Sequence, residues 1–185
     1  MLDLAPIGSK RVRLRAVKQS DYGLLYSVST DPALGYLWRY RGRTPSPEQF
    51  ASDLWSGVLA QFIVERHSGE FIALVAAYQA DQSNGTCYVA VLSSPAVVGS
   101  GLALEGCSIF IDYLFRGFAL RRVFAEVPHY SFVQMSSLTR FFVEEGLLRK
   151  HSFYAGQYWD LHILALDRER WEGEFAGRVR GLLNR

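Results

Sequence analysis

The sequence predicts an α/β (α+β) fold: a three-layer sandwich whose mixed, mostly antiparallel sheet of six to seven strands carries helices on both faces. Three observations predict it. Strand patterns at 61–66, 71–80 and 86–93 follow one another across short polar turns, as in an antiparallel meander. A strand, a glycine-flanked turn, a helix and another strand then span 86–127, which reads as a βαβ crossover. Two more strand patterns, 147–154 and 158–166, close the sheet. Elements with one apolar face bury it only by stacking in layers.

Residues 11–17 alternate, with Val12, Leu14 and Ala16 on one face and arginines on the other, and read as a strand. Ser20 is placed as the N-cap of a helix through Leu24, Leu25 and Val28 to about Thr30, ended by Asp31-Pro32. An aromatic and basic loop, 35–43, follows. Ser46-Pro47-Glu48-Gln49 starts a second helix, with Phe50, Leu54 and Trp55 on its apolar side. After the meander, Gly99-Ser100-Gly101 leads into a helix of about four turns. Leu102, Gly106, Ile109, Phe110, Tyr113 and Leu114 mark its buried face. The next strand is placed at 120–127. Residues 133–145 read as a helix with Met135, Leu138, Phe141 and Phe142 inward, and 167–185 as a charged terminal helix or tail. The whole of 1–185 is expected to form a single domain.

The chain has 185 residues, 49% apolar and 21% charged, with a formal charge of +2. That composition fits one well-filled core, and the charge is too small to argue for a nucleic-acid partner. Cys87 and Cys107 read as small buried apolar residues; a disulfide framework needs more cysteines. No stretch reaches the ~18 apolar residues of a membrane span, and the N-terminus lacks a signal-type apolar region, so a soluble cytoplasmic protein is expected. No Cys/His spacing suggests a metal site, and no Gly-x-Ser-x-Gly elbow suggests a hydrolase. The Gly-Ser-Gly turn before a helix is a candidate anion cradle, because glycines admit close backbone approach and the first helical turn offers unpaired N–H groups.

This element order, with its Gly-x-Gly turn after the meander, is similar to the GCN5-related N-acetyltransferase (GNAT) superfamily. It resembles the ribosomal-protein-alanine acetyltransferase branch in particular. Val98 to Gly106 resembles that branch's R-G-x-G-x-A-x-E-A stretch, with Val98 where the arginine stands. Trp38-Arg39-Tyr40 with Ser46 to Phe50, Glu145-Gly146-Leu147-Leu148-Arg149, and Tyr158-Trp159-Asp160 through Trp171 resemble further segments of it. The branch's asparagine and serine of the following helix are replaced by Tyr130 and Val133.

The resemblance implies an N-acyltransferase with acetyl-CoA as cosubstrate. The donor is expected in a splay between the fourth and fifth strands of the family, its amides on the backbone of Val91, Leu92 and Ser93. Its pyrophosphate is expected on Val98, Gly99, Ser100, Gly101, Leu102 and Ala103. Glu126, His129 and Tyr130, at the end of the strand beside the splay, are the candidate catalytic residues. His129 is the best base of the three, because histidine ordinarily titrates near neutrality, and Glu126 suits a water-relayed base if its side chain faces the cleft. Tyr130 suits the acid for the leaving thiolate. Trp38, Arg39 and Tyr40 would wall the acceptor site, for a small-molecule or peptide amine; Asp160 is expected to be structural. The departures leave two alternatives. One is a non-CoA donor, aminoacyl-tRNA or acyl carrier protein, with Arg39, Arg41, Arg43, Arg121 and Arg122 on phosphates. The other is a degenerate fold that only binds. A homodimer is possible in this branch.

Overall fold

The computed structural model describes residues 7–32, 34–38, 41–97, 99–132, 135 and 140–183. Its centre is an eight-stranded sheet in the order β1-β2-β3-β4-β5-β6-β8-β7. The strands are β1 Ile7–Gly8, β2 Arg13–Ala16, β3 Val58–Glu65, β4 Phe71–Asp81, β5 Thr86–Ser93, β6 Arg122–Pro128, β7 Val143–Tyr154 and β8 Gln157–Asp167. Neighbours are antiparallel except β5 and β6, which are parallel. The expected six to seven strands become eight because Ile7–Gly8 folds back on β2, a pair too short to carry a periodic signal.

One face carries α1 (Tyr22–Thr30) and α2 (Pro47–Asp53). Leu25, Trp38, Phe50 and Leu54 pack there over Ile63, Leu74, Ala76 and Leu92. The other face carries α3 (Leu102–Gly117), over Val64, Val75 and Val89. Strand alternation sends Ile63 to one side and Val64 to the other, so both faces of the central strands are apolar. Two terminal helices, α5 (Arg168–Glu174) and α6 (Ala176–Leu183), lie against α3; a four-residue helix, α4, spans His129–Phe132. The terminal segment is therefore docked, with Trp171 and Ala176 fully buried. Buried Asp112 of α3 accepts from Trp171 Nε1 (3.3 Å) and Arg180 Nε (3.0 Å). Arg168 donates to the carbonyls of Leu120 (2.6 Å), Phe118 (2.7 Å) and Phe115, closing the C-terminal end of α3. This cover explains why α3 buries Cys107, Ile111, Asp112 and Phe115 beyond the single face its periodicity marks.

Several local readings change. Asp21, not Ser20, organises the start of α1: its carboxylate accepts from Lys18 N–H at 2.7 Å and pairs with Arg15 at 2.8 Å. Ser46 does cap α2, accepting from Gln49 N–H at 3.3 Å, but the Gln49 side chain turns to Asp53 and leaves the box half made. Trp55 is 47% exposed and hydrogen-bonds Tyr22 Oη, whereas Phe50 and Leu54 are buried. The helix expected over 133–145 gives way to β7 from Val143 onward, because pairing with β8 overrides local helical periodicity; 133–134 and 136–139 lie outside the described residues. Among the described residues, no helix is long and apolar enough to cross a membrane.

Candidate active site

β5 and β6 pair over three residues only: Thr86 with Arg122, Cys87 with Val123, and Tyr88 with Phe124. Beyond Tyr88, β5 remains bonded to β4 through Ser93, and β6 remains bonded to β8 through Pro128. Each strand is thus held on its outer side and leaves its neighbour on the inner side. The divergence opens a slot through the sheet, and its walls are strand edges whose inward N–H and C=O groups need partners. Val91, Leu92 and Ser93 form one such wall, where the sequence placed the donor's amides.

The slot has two mouths. On the α1/α2 face it is lined by Trp38, Arg41, Tyr78 and Glu126; on the α3 face, by Cys107 and Phe142. Parity explains the division: Tyr78 shares its face with Leu74 and Ala76, and Glu126 shares its face with Phe124. Burial pushes the Cys107 thiol up to about 12, and Cys87 likewise, so both are inert apolar neighbours rather than nucleophiles.

The turn before α3 stands at the wide end of the slot. Gly99 and Gly101 have φ of +78° and +74°, the left-handed region that a Cβ disfavours, and open space lies where either Cβ would be. Ser100 Oγ donates to Val97 O (2.6 Å) and accepts from Leu102 N–H (3.3 Å), fixing the turn. The remaining first-turn N–H groups of α3, including that of Ala103, have no intrahelical partner by the geometry of a helix. Glu105 in this turn would repel an anion, but it is held by Ser9 Oγ and by Arg11 at 3.1 Å. Arg11 also donates to Ser100 O at 2.9 Å. The positive charge missing at Val98, which lies outside the described residues, is thus partly supplied at the turn by a distant hairpin. These features fit a CoA pyrophosphate.

The loop at 35–43 is tightly built where it is described. Arg41 N–H bonds Trp38 O (2.9 Å), and Gly42 N–H bonds Gly35 O (3.0 Å). Trp38 is 1% exposed and at once core and slot wall. Arg39 and Tyr40 lie outside the described residues. Arg41 Nη2 reaches Glu126 Oε2 at 3.9 Å across the mouth.

The three candidate catalytic residues separate. Glu126 lines the slot. Tyr130 Oη donates to the Tyr36 carbonyl at 2.9 Å, and its ring lies 4.5 Å from Tyr154, so it clamps the 35–43 loop to α4 and β7. His129 turns toward β8: its Nδ1 is 3.0 Å from His162 Nε2, and His162 Nδ1 is 2.6 Å from Glu144 Oε2. That hydrogen-bonded chain packs against Phe132 and Trp159 beside the slot. Asp160 has the structural task expected of it, accepting Lys150 N–H at 2.8 Å within a bulge of β7. Arg122 is bound to Asp167 (2.6 Å) and Glu145 (2.9 Å), and Arg121 to Asn84 O (2.8 Å). Neither is presented as a phosphate ligand. Among the described residues, no cluster of three His, Cys, Asp or Glu is placed to hold a metal.

The family model described as an acetyltransferase (GNAT) domain matches residues 11–129. The chain belongs to this family. It is an acyltransferase, and acetyl-CoA is its cosubstrate. Among solved structures, it is similar to the Vibrio cholerae spermidine N-acetyltransferase in complex with CoA and spermine. The identity is 19% over 88% of this chain and 99% of that one, with a TM-score of 0.79. A chimera of the same enzyme with human SSAT gives 18% identity, 89% and 99% coverage and a TM-score of 0.78. The manganese complex of the Vibrio cholerae enzyme gives 19%, 89% and 97%, and 0.73. At these identities the likeness is one of fold. No curated protein matches the chain.

Sequence reasoning missed Arg11, Tyr78, Glu144 and His162 as neighbours of the site. Tyr78 could have been found by registering the β4–β5 hairpin, which sets it opposite Tyr88. The contact of Arg11 with Glu105 joins segments 94 positions apart and has no local signal.

Proposed function

We propose that this protein acetylates an amine by direct transfer in a ternary complex, with donor and acceptor entering the slot from opposite faces of the sheet. The through-slot between β5 and β6 carries the reading, because one mouth lies beside α3 and the other is lined by Trp38, Arg41, Tyr78 and Glu126. The wall at Val91, Leu92 and Ser93 and the turn at 99–103 hold the donor. Bound acetyl-CoA supplies an activated acyl group. Glu126 takes the first proton from the acceptor ammonium, directly or through one water. The amine nitrogen then bonds to the acyl carbon as the C–S bond breaks toward sulfur. The second nitrogen proton balances the thiol that leaves. Holding both reactants in one slot contributes most of the acceleration. Tyr130 positions the acceptor loop, and the His129–His162–Glu144 chain fixes α4 against β8. The finer affiliation with the ribosomal-protein-alanine branch is supported by the serial order of Trp38, Ser46-Pro47, Glu145-Gly146 and Trp159-Asp160 in the sequence.

The experiment is a thermal shift with acetyl-CoA, paired with thiol release across an amine panel. Saturating acetyl-CoA is expected to raise Tm, since a ligand at a hundred times its Kd stabilises the native state by about 2.7 kcal/mol. At least one amine should release CoA, and Glu126→Gln should lower kcat by about a hundredfold or more. An unchanged Tm together with no thiol release from any amine overturns the proposal.

A further inference from the structure

On the acceptor face, the slot mouth continues into a row of aromatic rings. Tyr78, Tyr88 and Phe124 are neighbours on three adjacent strands, with centroids 6.0 Å and 5.5 Å apart and ring planes inclined by 36° and 32°. All three are half-buried, and none packs into either core cluster. The row ends under Arg122, whose guanidinium carbon is 5.9 Å from the Phe124 ring. It lies across the apex of the slot, where the last β5–β6 pair is Tyr88 with Phe124. Glu126 stands two residues beyond Phe124 on the same face, about 6.6 Å along the strand at the usual rise. Arg41 faces it at 3.9 Å, with side chains 37% and 36% exposed, a loose pair that can part. Among the described residues lining the slot, Glu126 is the one carboxylate and Arg41 the one cation.

We propose that the acceptor is an aromatic α-amino acid, bound through its ammonium to Glu126, its carboxylate to Arg41 and its ring to the Tyr78–Tyr88–Phe124 row. This rests on the acetyl-transfer reading and names its acceptor. A zwitterion replaces the Arg41–Glu126 pair charge for charge, so neither group is left without a partner. The ring row supplies planar apolar contact within amino-acid reach of Glu126. A linear polyamine meets the opposite conditions: one carboxylate for several ammonium groups, and the repulsive Arg41 at the entrance. A carboxylate-free aromatic amine fills the row but leaves Arg41 without the anion it would gain. The transfer forms the amide N–C bond at the α-nitrogen and breaks the thioester C–S bond, giving an N-acetyl amino acid and CoA thiol.

The test measures CoA release by the 185-residue chain with L-phenylalanine, L-tryptophan, phenethylamine, L-alanine and spermidine, with the acetyl-CoA thermal shift run in parallel. The aromatic amino acids should exceed every other amine at least tenfold in kcat/KM. Arg41→Gln should shrink the ratio of L-phenylalanine to phenethylamine by about ten- to a hundredfold, and Arg41→Lys should restore part of it. Spermidine or phenethylamine equal to or better than the aromatic amino acids overturns this inference and leaves acetyl transfer standing. A thermal shift with no aromatic amino acid consumed also overturns it. Absence of both the shift and any turnover removes the acetyl-transfer reading itself.

Discussion

Gly106 lies against Val64 so closely that a Cβ on the glycine would stand 2.4 Å from Val64 Cγ1. Here α3 presses on β3, and the approach sets the height of the helix whose Cys107 lines the slot. Gly106→Ala is expected to cost about 1–3 kcal/mol by overpacking. In a Val64→Ala background that cost should shrink, because the space it needs has been made. Chemical denaturation of the four-member cycle measures the coupling; additive effects would contradict the contact.

The Arg15–Asp21–Glu65 cluster predicts a pH dependence of stability. The hydrogen bond from Arg15 holds the Asp21 carboxyl below the usual range. Burial works to raise Glu65, and Arg15 and Arg13 override it, leaving it lowered as well. A carboxyl with a depressed folded pKa contributes fully above its unfolded value, near 3.9 for aspartate, and the contribution fades as pH falls through the folded value. Asp21→Asn should therefore cost about 1–3 kcal/mol at pH 7. The gap to the parent should narrow as the pH falls below the unfolded carboxyl value. Denaturant midpoints from pH 2.5 to 7.5 give the comparison; a gap that widens on acidification would refute it.

Tyr130 is expected to act by position. Tyr130→Phe removes the bond to the Tyr36 carbonyl, a loss of about 0.5–1.5 kcal/mol, and frees the acceptor loop. The acceptor KM should rise a few-fold, with kcat nearly constant and the KM for acetyl-CoA unchanged. A large fall in kcat with constant KM would instead make Tyr130 the acid for the leaving thiolate.

Cys87 and Cys107, both raised to about 12 by burial, should resist alkylation in the native protein. At pH 8 a group with that pKa carries ~10³-fold less thiolate than a free cysteine. Iodoacetamide labelling followed by mass analysis should show both thiols reacting only after denaturation. Fast labelling of Cys107 in the folded state would show that the slot exposes it.

Much of the fold was legible because it repeats locally. The meander could be placed from alternation and polar turns, and α3 from its glycine turn and apolar spacing. The segment at 143–145 misled because Phe141, Phe142 and their neighbours carry a helical pattern, while the pairing of β7 with β8 is decided by a partner strand. The glycine turn before α3 was legible for the same local reason: its positive-φ glycines declare their backbone. The arrangement of the candidate catalytic residues was not. Glu126, His129 and Tyr130 are adjacent in sequence, yet one lines the slot, one turns to His162 and one clamps Tyr36.

The sequence by itself determined the order of elements, the Gly99–Gly101 turn, the buried cysteines and the family to which they point. Those depend on backbone preference and apolar period, which neighbouring residues encode. Only the tertiary structure decided where β5 and β6 part. It also decided that Arg11 neutralises Glu105, and that Tyr78, Tyr88 and Phe124 align beside Arg41 and Glu126. These relationships join segments far apart in the chain. Strand pairing and side-chain parity bring them together, and neither is written in any one stretch of the sequence.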